Sequence, residues 1–162
     1  MFNKFLALLL TLFSFGSASA ESLYVLIPPT SSSKIGCWAE HFQKFDTIVG
    51  YSNLGHFFLR ASSDNEYIIL HPFKKSAKSY GVFESVLAFE NKVLKELGFS
   101  EYVLRAEHIA VIKKRIGRLK NEEVYIPEPY PFIGGSDKPE TYTKGNVWVF
   151  MDIVSQMQGL CG

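Results

Sequence analysis

Three short runs of β-branched and aromatic residues follow one another in the first half of the chain and restrict its fold more than any other feature. They span Thr47–Tyr51, His56–Arg60 and Tyr67–His71, and runs of this length and composition are typical of β-strands. Asn53-Leu54-Gly55 separates the first two runs and Ser63-Asp64-Asn65 the next two. Both separators have the composition of tight turns, and strands joined by tight turns run antiparallel. The sequence therefore predicts an antiparallel β-meander.

The flanking segments add strands before the meander and helices after it. Leu23–Ile27 predicts an N-terminal strand, Trp38–Phe45 a short helix, and Lys78–Val82 a fourth strand of the meander. Beyond these, apolar residues recur at helical spacing. They are Val86, Phe89, Val93 and Leu97 in one helix, which Gly98 is expected to end, and Tyr102, Ala106, Ile109, Ile112, Ile116 and Leu119 in the next, which Ser100 is expected to begin. A third helix is expected within Val147–Leu160. Strands followed by helices predict the α+β class, with two or three helices packed on one face of the meander.

The first twenty residues have the three-part pattern of a secretory signal peptide. A short positive start at Lys4 is followed by the apolar run Phe5–Phe15 and by Ala18-Ser19-Ala20, a small-x-small cleavage site. A membrane anchor is the weaker interpretation, because a span needs about 20 apolar residues and this run has about half that number. Cleavage after Ala20 leaves residues 21–162, which we expect to form a single domain without stable membrane insertion.

Export determines how the two cysteines are interpreted. In an oxidising compartment, Cys37 and Cys161 most simply form one disulfide bond. The alternative is a reactive Cys37 thiolate at a helix start in Gly36-Cys37-Trp38, with His41 one turn later. That alternative leaves Cys161 without a role.

The remaining sequence contains no catalytic signature. Lys and Arg number 17 against 16 Asp and Glu, so there is no basic excess of the kind that nucleic-acid binding needs. The four histidines have no metal-ligand spacing, and although His56 and His71 fall on neighbouring strands, no third ligand accompanies them. The chain is therefore expected to be a non-enzymatic protein without a cofactor, a metal ion or a nucleic-acid partner.

A proline-rich loop carries the candidate partner-binding residues. Within the irregular stretch 122–135, three prolines and a Gly-Gly pair surround aromatic side chains, and rigid loops that carry aromatic residues are common recognition surfaces. The candidates are Tyr125, Tyr130, Phe132, Gly134 and Gly135. These rings are equally consistent with a plug at the edge of the sheet.

Several of these segments resemble one bacterial family. The segments are Gly50-Tyr51, Gly55–Arg60, Tyr67–Pro72, Glu123–Tyr125, Pro131–Ser136 and the apolar end at Leu160. Over positions 47–160 they resemble the C-terminal domain of type VI secretion immunity proteins, whose longer members carry a GAD-like region ahead of it and some of which guard against nuclease toxins.

The resemblance implies a protein that binds and neutralises a cognate secreted toxin by occluding its active site. Combined with the signal peptide, it implies action in the periplasm. The alternative function is an exported Cys-dependent peptidoglycan hydrolase that uses Cys37.

Overall fold

The meander predicted from the sequence is the centre of the fold. The computed structural model describes residues 22–162, so the signal peptide predicted for residues 1–20 lies outside the described residues. Five antiparallel strands form one sheet in sequential order, and they are β1 (Tyr24–Ser31), β2 (Thr47–Ser52), β3 (Phe57–Arg60), β4 (Glu66–His71) and β5 (Ser76–Val82). The fourth strand of the meander is therefore present and begins two residues earlier than expected.

Helices and a second small sheet complete the α+β fold. The helices are α1 (Cys37–His41), α2 (Val86–Phe89), which continues into a π-helical turn (Glu90–Leu94), α3 (Leu97–Tyr102), α4 (Ala106–Ile116) and α5 (Val147–Met157). Two antiparallel strands form the second sheet, β6 (Glu123–Pro127) and β7 (Tyr142–Asn146). Short 3₁₀ turns occur at Ser32–Ile35, Pro72–Lys74, Pro131–Ile133 and Pro139–Thr141. The predicted class is confirmed, and part of the stretch expected to be irregular is strand β6.

Both faces of the five-stranded sheet are covered, whereas the sequence predicted helices on one face. On the front face, strand residues such as Phe57 and Leu70 pack with Trp38 of α1 and Met151 of α5. On the back face, residues such as Phe58 pack with the segment from α2 to α3. The physical reason is that successive residues of a strand point to opposite faces, and β3 and β4 are apolar at nearly every position. Strands in which apolar and polar residues alternate would have had only one apolar face for helices to cover.

The segment after β5 differs from the two regular helices that the sequence predicted. In the π-helical turn, Lys95 N donates a hydrogen bond to Glu90 O, five residues earlier, and the chain leaves the helix at Glu96. This widened turn moves Leu97 off the apolar face, and its side chain is 72% exposed. Gly98 lies inside α3 instead of ending a helix.

The second predicted helix also begins later than expected. Helix α4 starts after Arg105, which has a left-handed backbone with φ 56°, and not at Ser100. Tyr102, which the sequence assigned to the apolar stripe, ends α3 with its side chain 81% exposed. Ile109 and Ile112 of the same stripe are buried as expected. The expected stripe therefore holds only within α4.

A tight approach of β1 to β2 requires glycine at position 50. A Cβ atom added to Gly50 would lie 2.4 Å from the carbonyl oxygen of Val25, which is far closer than real Cβ atoms approach. The pairing of β2 with β3 shifts register between Ile48 and Gly50. This irregularity places both Ile48 and Tyr51 in the front-face core, although they are three residues apart.

Helix α1 is joined by a disulfide bond to the chain end that follows α5, and by a buried hydrogen bond to α5 itself. Cys37 and Cys161 form a disulfide with Cα atoms 5.3 Å apart, within the usual range for this bond. The indole nitrogen of Trp38, which is fully buried, donates to the carbonyl oxygen of Met151 at 2.9 Å. The chain end is thereby attached to the front-face core. Among residues 22–162, none of the helices combines the length and the apolar character that crossing a bilayer requires.

Removing the disulfide should lower stability without changing the fold. The bond closes a loop between residues 124 positions apart. Loop-closure entropy sets an upper value of ~5 kcal/mol for a loop of this length, and disulfides typically contribute ~2–4 kcal/mol, so we expect Cys161→Ser to lower the free energy of unfolding by ~2–4 kcal/mol. Urea unfolding of the wild type, Cys161→Ser, Cys37→Ser and the double variant measures this loss. The single variants and the double variant should unfold at the same urea concentration, and a wild type that unfolds together with them would contradict the prediction.

Candidate functional site

The loop between β6 and β7 is a compact structure held by its own backbone. We call residues 128–141 the β6–β7 loop. Its base is closed by a hydrogen bond from Glu128 N to Thr141 O, and Gly135 N donates to Tyr130 O. Gly134 has φ 92°, a left-handed conformation that favours glycine. A Cβ atom on Gly135 would lie 1.8 Å from the carbonyl oxygen of Pro129. The Gly-Gly pair therefore allows the loop to fold back on itself.

The three aromatic candidates predicted for partner binding occupy different environments. Tyr125 lies in β6 with only 2% of its surface exposed, and its hydroxyl donates to Gly117 O at 2.9 Å. Tyr125 therefore packs in the core and, unlike the other two aromatic candidates, does not present its ring at the surface. The strand that buries this ring was not predicted, because the composition of the segment is typical of an irregular loop.

Tyr130 and Phe132 are half-buried. The sequence was consistent with rings that bind a partner and with rings that plug the edge of the sheet, and these two rings are placed for both. Their rings lie 5.7 Å apart and both contact Phe73, at 5.5 and 5.8 Å between ring centroids. Tyr130 also contacts Phe150 of α5 at 6.1 Å. One side of each ring thus packs on the front-face core, while the other side borders a surface depression.

On one side of the loop lies a cleft of about 830 Å³. His56 precedes β3, His71 ends β4, and Arg105 precedes α4, so the cleft is assembled from segments far apart in the sequence. Phe132 and Asp137 of the β6–β7 loop form its opposite wall. We call this depression the basic cleft, because Lys74 lines it in addition to Arg105.

The two histidines of the basic cleft are close neighbours and are held neutral. Their ring centroids are 4.6 Å apart. Burial, followed by repulsion from His71, Lys74 and Arg105, lowers the pKa of His56 to about 3. Burial, followed by Lys74 and Lys78, also lowers the pKa of His71. The Nδ1 atom of His56 is shielded from solvent and has no hydrogen-bond partner. The described residues include no cluster of three or more metal-ligating side chains around these rings or elsewhere.

Arg105 links the two walls of the basic cleft. Its Nη1 atom lies 3.1 Å from Oδ2 of Asp137 in the β6–β7 loop. It also contributes to the lowered pKa of His108, after the larger effect of burial. Lys74, Arg105 and Asp137 were not among the site residues predicted from the sequence. No local pattern marks them, because they lie about thirty residues apart and meet only through the packing of α4 and the loop against the sheet.

On the other side of the loop lies an exposed apolar surface. We call it the apolar shelf, and it consists of Pro129, Tyr130, Ile133, Ile153 and Met157, around a shallow groove of about 540 Å³ that Glu128 also lines. Ile133, Ile153 and Met157 are 53%, 40% and 47% exposed. Ile153 and Met157 are one helical turn apart on α5, and Val149, also exposed, precedes them by another turn. The four-residue spacing of these side chains on α5 was the signal for this surface that the sequence offered.

Cys37 does not provide a nucleophile in this structure. Its sulfur is bonded to Cys161, and the described part of the chain has no free cysteine. The thiolate that a Cys-dependent hydrolase requires is therefore not available.

The part of the chain that contains the β6–β7 loop matches a known protein family. Residues 84–158, somewhat less than half of the chain, match the family model described as T6SS immunity protein Tdi1, C-terminal. The family indicated by the sequence is thus confirmed over this stretch, which contains the β6–β7 loop and α2 to α5. The match supports an immunity role. Residues 47–83, which the resemblance had included, lie outside it. No curated protein is significantly similar to the chain.

A solved structure shares the fold. The crystal structure of Atu4351 from Agrobacterium tumefaciens superimposes with a TM-score of 0.57 at 16% sequence identity. The superposition covers 83% of this chain and 67% of the Atu4351 chain. At this level of identity the likeness concerns the fold alone.

The neutral state of His56 predicts how stability depends on pH. In the unfolded chain its pKa returns to about 6.5, so below that pH the unfolded state binds a proton that the folded state does not. The stabilising effect is complete above pH 6.5 and is lost as the pH falls towards 3. Between pH 7 and pH 5, His56 alone should lower the free energy of unfolding by ~2 kcal/mol at most. Urea unfolding at the two pH values measures this loss.

The variant His56→Asn separates this effect from other titrations. It should reduce the difference between pH 7 and pH 5, whatever it does to stability at neutral pH. His41→Asn is the matched control, since His41 is exposed on α1 and should leave the difference unchanged. An unchanged pH dependence in His56→Asn would show that His56 is not held neutral by the fold.

Proposed function

We propose that this chain, which carries a Tdi1-type immunity domain over residues 84–158, is an exported immunity protein that binds a type VI secretion toxin in the periplasm and covers its active site. The observation that carries the proposal is the family match, because the matched residues include both elements that form the apolar shelf. In this proposal, residues 21–162 act as one domain after signal cleavage.

The apolar shelf has the properties of a protein-binding surface. Its exposed aliphatic side chains belong to two ordered elements, the β6–β7 loop and α5, and therefore lose little freedom on binding. Half-buried Tyr130 lies between these elements with its ring supported by Phe73 and Phe150. Interfaces obtain most of their affinity from a few such supported anchors. Of the residues predicted for partner binding, Tyr130 lies at the shelf, whereas Phe132 and Gly135 lie at the basic cleft on the other side of the loop. Gly134 and Gly135 are proposed to act by shaping the loop that carries both rings.

Inhibition by occlusion requires no reaction. A toxin is inactivated as long as its catalytic site stays covered, so the protein needs affinity and a slow dissociation rate. The disulfide suits such a binder in an oxidising compartment, because it stabilises the front-face core that supports the shelf. The same bond argues against the alternative of a Cys37-dependent hydrolase.

Substitutions on the apolar shelf should weaken toxin binding without unfolding the protein. We expect Ile153→Ser and Ile133→Ser each to cost ~2 kcal/mol of binding free energy, about thirtyfold in Kd. The partner to test is the cognate toxin, to be sought among the neighbouring genes and prepared with its catalytic residue inactivated, and calorimetry gives the Kd. The matched control is Val111→Ser on α4, where Val111 is 54% exposed and outside the shelf. Equal affinity in all three variants would exclude the shelf as the docking surface.

Tyr130→Ala should affect both binding and folding, because the ring is half-buried. Its loss removes an anchor and also contacts with Phe73 and Phe150. Measuring the Kd and the urea midpoint on the same variant separates these contributions. A lower midpoint with an unchanged Kd would make Tyr130 a core residue only.

Protection should depend on export. Cells that make the active toxin in the periplasm should survive when the full chain is present. They should die when the chain lacks residues 2–20, because that version remains in the cytoplasm. A heterologous signal peptide fused to residue 21 should restore survival. Equal protection by the version without residues 2–20 would contradict periplasmic action.

A further inference from the structure

We infer that the basic cleft is a carboxylate-binding pocket that receives an acidic side chain of the protein partner. The pocket itself follows from the residues that line it. The source of the carboxylate rests on the proposed function, since the partner is taken to be the toxin that covers the neighbouring apolar shelf.

The charges of the basic cleft favour a ligand with one negative charge. Lys74 and Arg105 contribute two positive charges, and Asp137 contributes one negative charge. The positive charge of Lys74 also acts on both cleft histidines. After the larger effect of burial, it contributes to their lowered pKa by repelling the protonated form of each ring. A single carboxylate balances this arrangement, whereas a doubly charged phosphate would exceed it.

Donors for a carboxylate are present at the rim and the floor of the cleft. The guanidinium of Arg105 has five N–H groups, and its ion pair with Asp137 and its hydrogen bond with the Tyr142 side chain use only part of them, which leaves donors for a further acceptor. Lys74 forms no ion pair among the salt bridges of residues 22–162. A neutral imidazole also carries one N–H, so His71 and His56 add donors on the floor.

The backbone at Arg105 favours a binding site at the cleft. Arg105 holds a left-handed conformation at φ 56°, which non-glycine residues adopt at a cost and which is concentrated at binding and catalytic sites. A carboxylate in the cleft would accept hydrogen bonds from the guanidinium that this backbone presents.

The shape of the cleft suits an amino-acid side chain better than a free ion. Its volume of about 830 Å³ is many times that of a carboxylate, and Phe132, Leu54 and Val103 add apolar wall. Such walls would contact the methylene groups of a glutamate or aspartate. The cleft and the apolar shelf lie on opposite sides of the β6–β7 loop and are close together. Phe132 lines the cleft, and the next residue, Ile133, lines the shelf. A partner lying on the shelf is thus in reach of the cleft.

The pocket can be tested without the toxin. The probe is the blocked peptide acetyl-Gly-Glu-Gly-amide, titrated into the full mature protein while the His56 and His71 ring signals are followed by NMR. We expect a saturable shift with this peptide and none with acetyl-Gly-Gln-Gly-amide. Inorganic phosphate should bind at least tenfold more weakly. The proposal would be overturned by equal shifts with the glutamine peptide, by the absence of saturation, or by tighter binding of phosphate.

Variants assign the site to the named residues. Lys74→Gln and Arg105→Gln should each weaken the peptide at least tenfold, and Lys74 is exposed enough for its replacement to leave folding intact. Lys92→Gln, an exposed lysine on the π-helical turn outside the cleft, is the control and should bind as the wild type. Unchanged affinity in Lys74→Gln would overturn the pocket as described.

The toxin separates the two proposals. If Lys74→Gln weakens both the peptide and the toxin, the carboxylate belongs to the toxin. If the peptide binds but Lys74→Gln leaves toxin affinity unchanged, the proposed source is wrong and a free carboxylate ligand takes its place. If the peptide binds and the toxin does not bind at all, the proposed function fails while the pocket stands. If the toxin binds and the peptide does not, the pocket fails alone.

Discussion

A sheet that is apolar on both faces has to be covered twice, and this requirement organises the rest of the molecule. Phe57 and Phe58 are adjacent in β3 and fully buried on opposite faces. Because burial of each such ring contributes on the order of 2 kcal/mol, neither face can remain open to water. The segment after β5 covers the back face, while α1 and α5 cover the front. The chain therefore has to return from one face to the other, and the second sheet with its loop lies on that return path.

The two candidate binding surfaces are products of this return path. The β6–β7 loop leaves β6 beside α5, and its aromatic rings pack on Phe73, in the turn between β4 and β5. One side of the loop thus faces the ends of β3 and β4 with their histidines, and the other side faces the outer surface of α5. A single ordered segment forms a wall of both the basic cleft and the apolar shelf. This arrangement explains how a polar and an apolar contact can be offered to one partner.

The sequence predicted those elements whose pattern is local. The meander and a helix from Val147 depend on composition and spacing within short segments, and both are present in the structure. The Cys37–Cys161 pairing, which is also present, followed from there being only two cysteines in a chain expected to be exported. The same reasoning failed where tertiary packing overrides a local period. Leu97 and Tyr102 have helical spacing but follow a π-helical turn that sequence periodicity cannot detect. Arg105, Lys74 and Asp137 could not be found together, because only the folded chain brings these positions to one cleft.

The tryptophan side chains lie on only one side of the five-stranded sheet, so the front-face and back-face cores differ in their fluorescence. The chain has only two tryptophans, Trp38 and Trp148, and both lie on the front side. Trp38 is sealed at the joint of α1 and α5, whereas Trp148 is half-buried between the ammonium group of Lys34, 3.9 Å from its ring, and Glu122, which accepts its indole hydrogen bond. Ultraviolet emission excited at the indole band therefore reports on the α5 side, while the helices behind the sheet are spectroscopically silent. Loosening of the back-face helices alone would leave that emission almost unchanged.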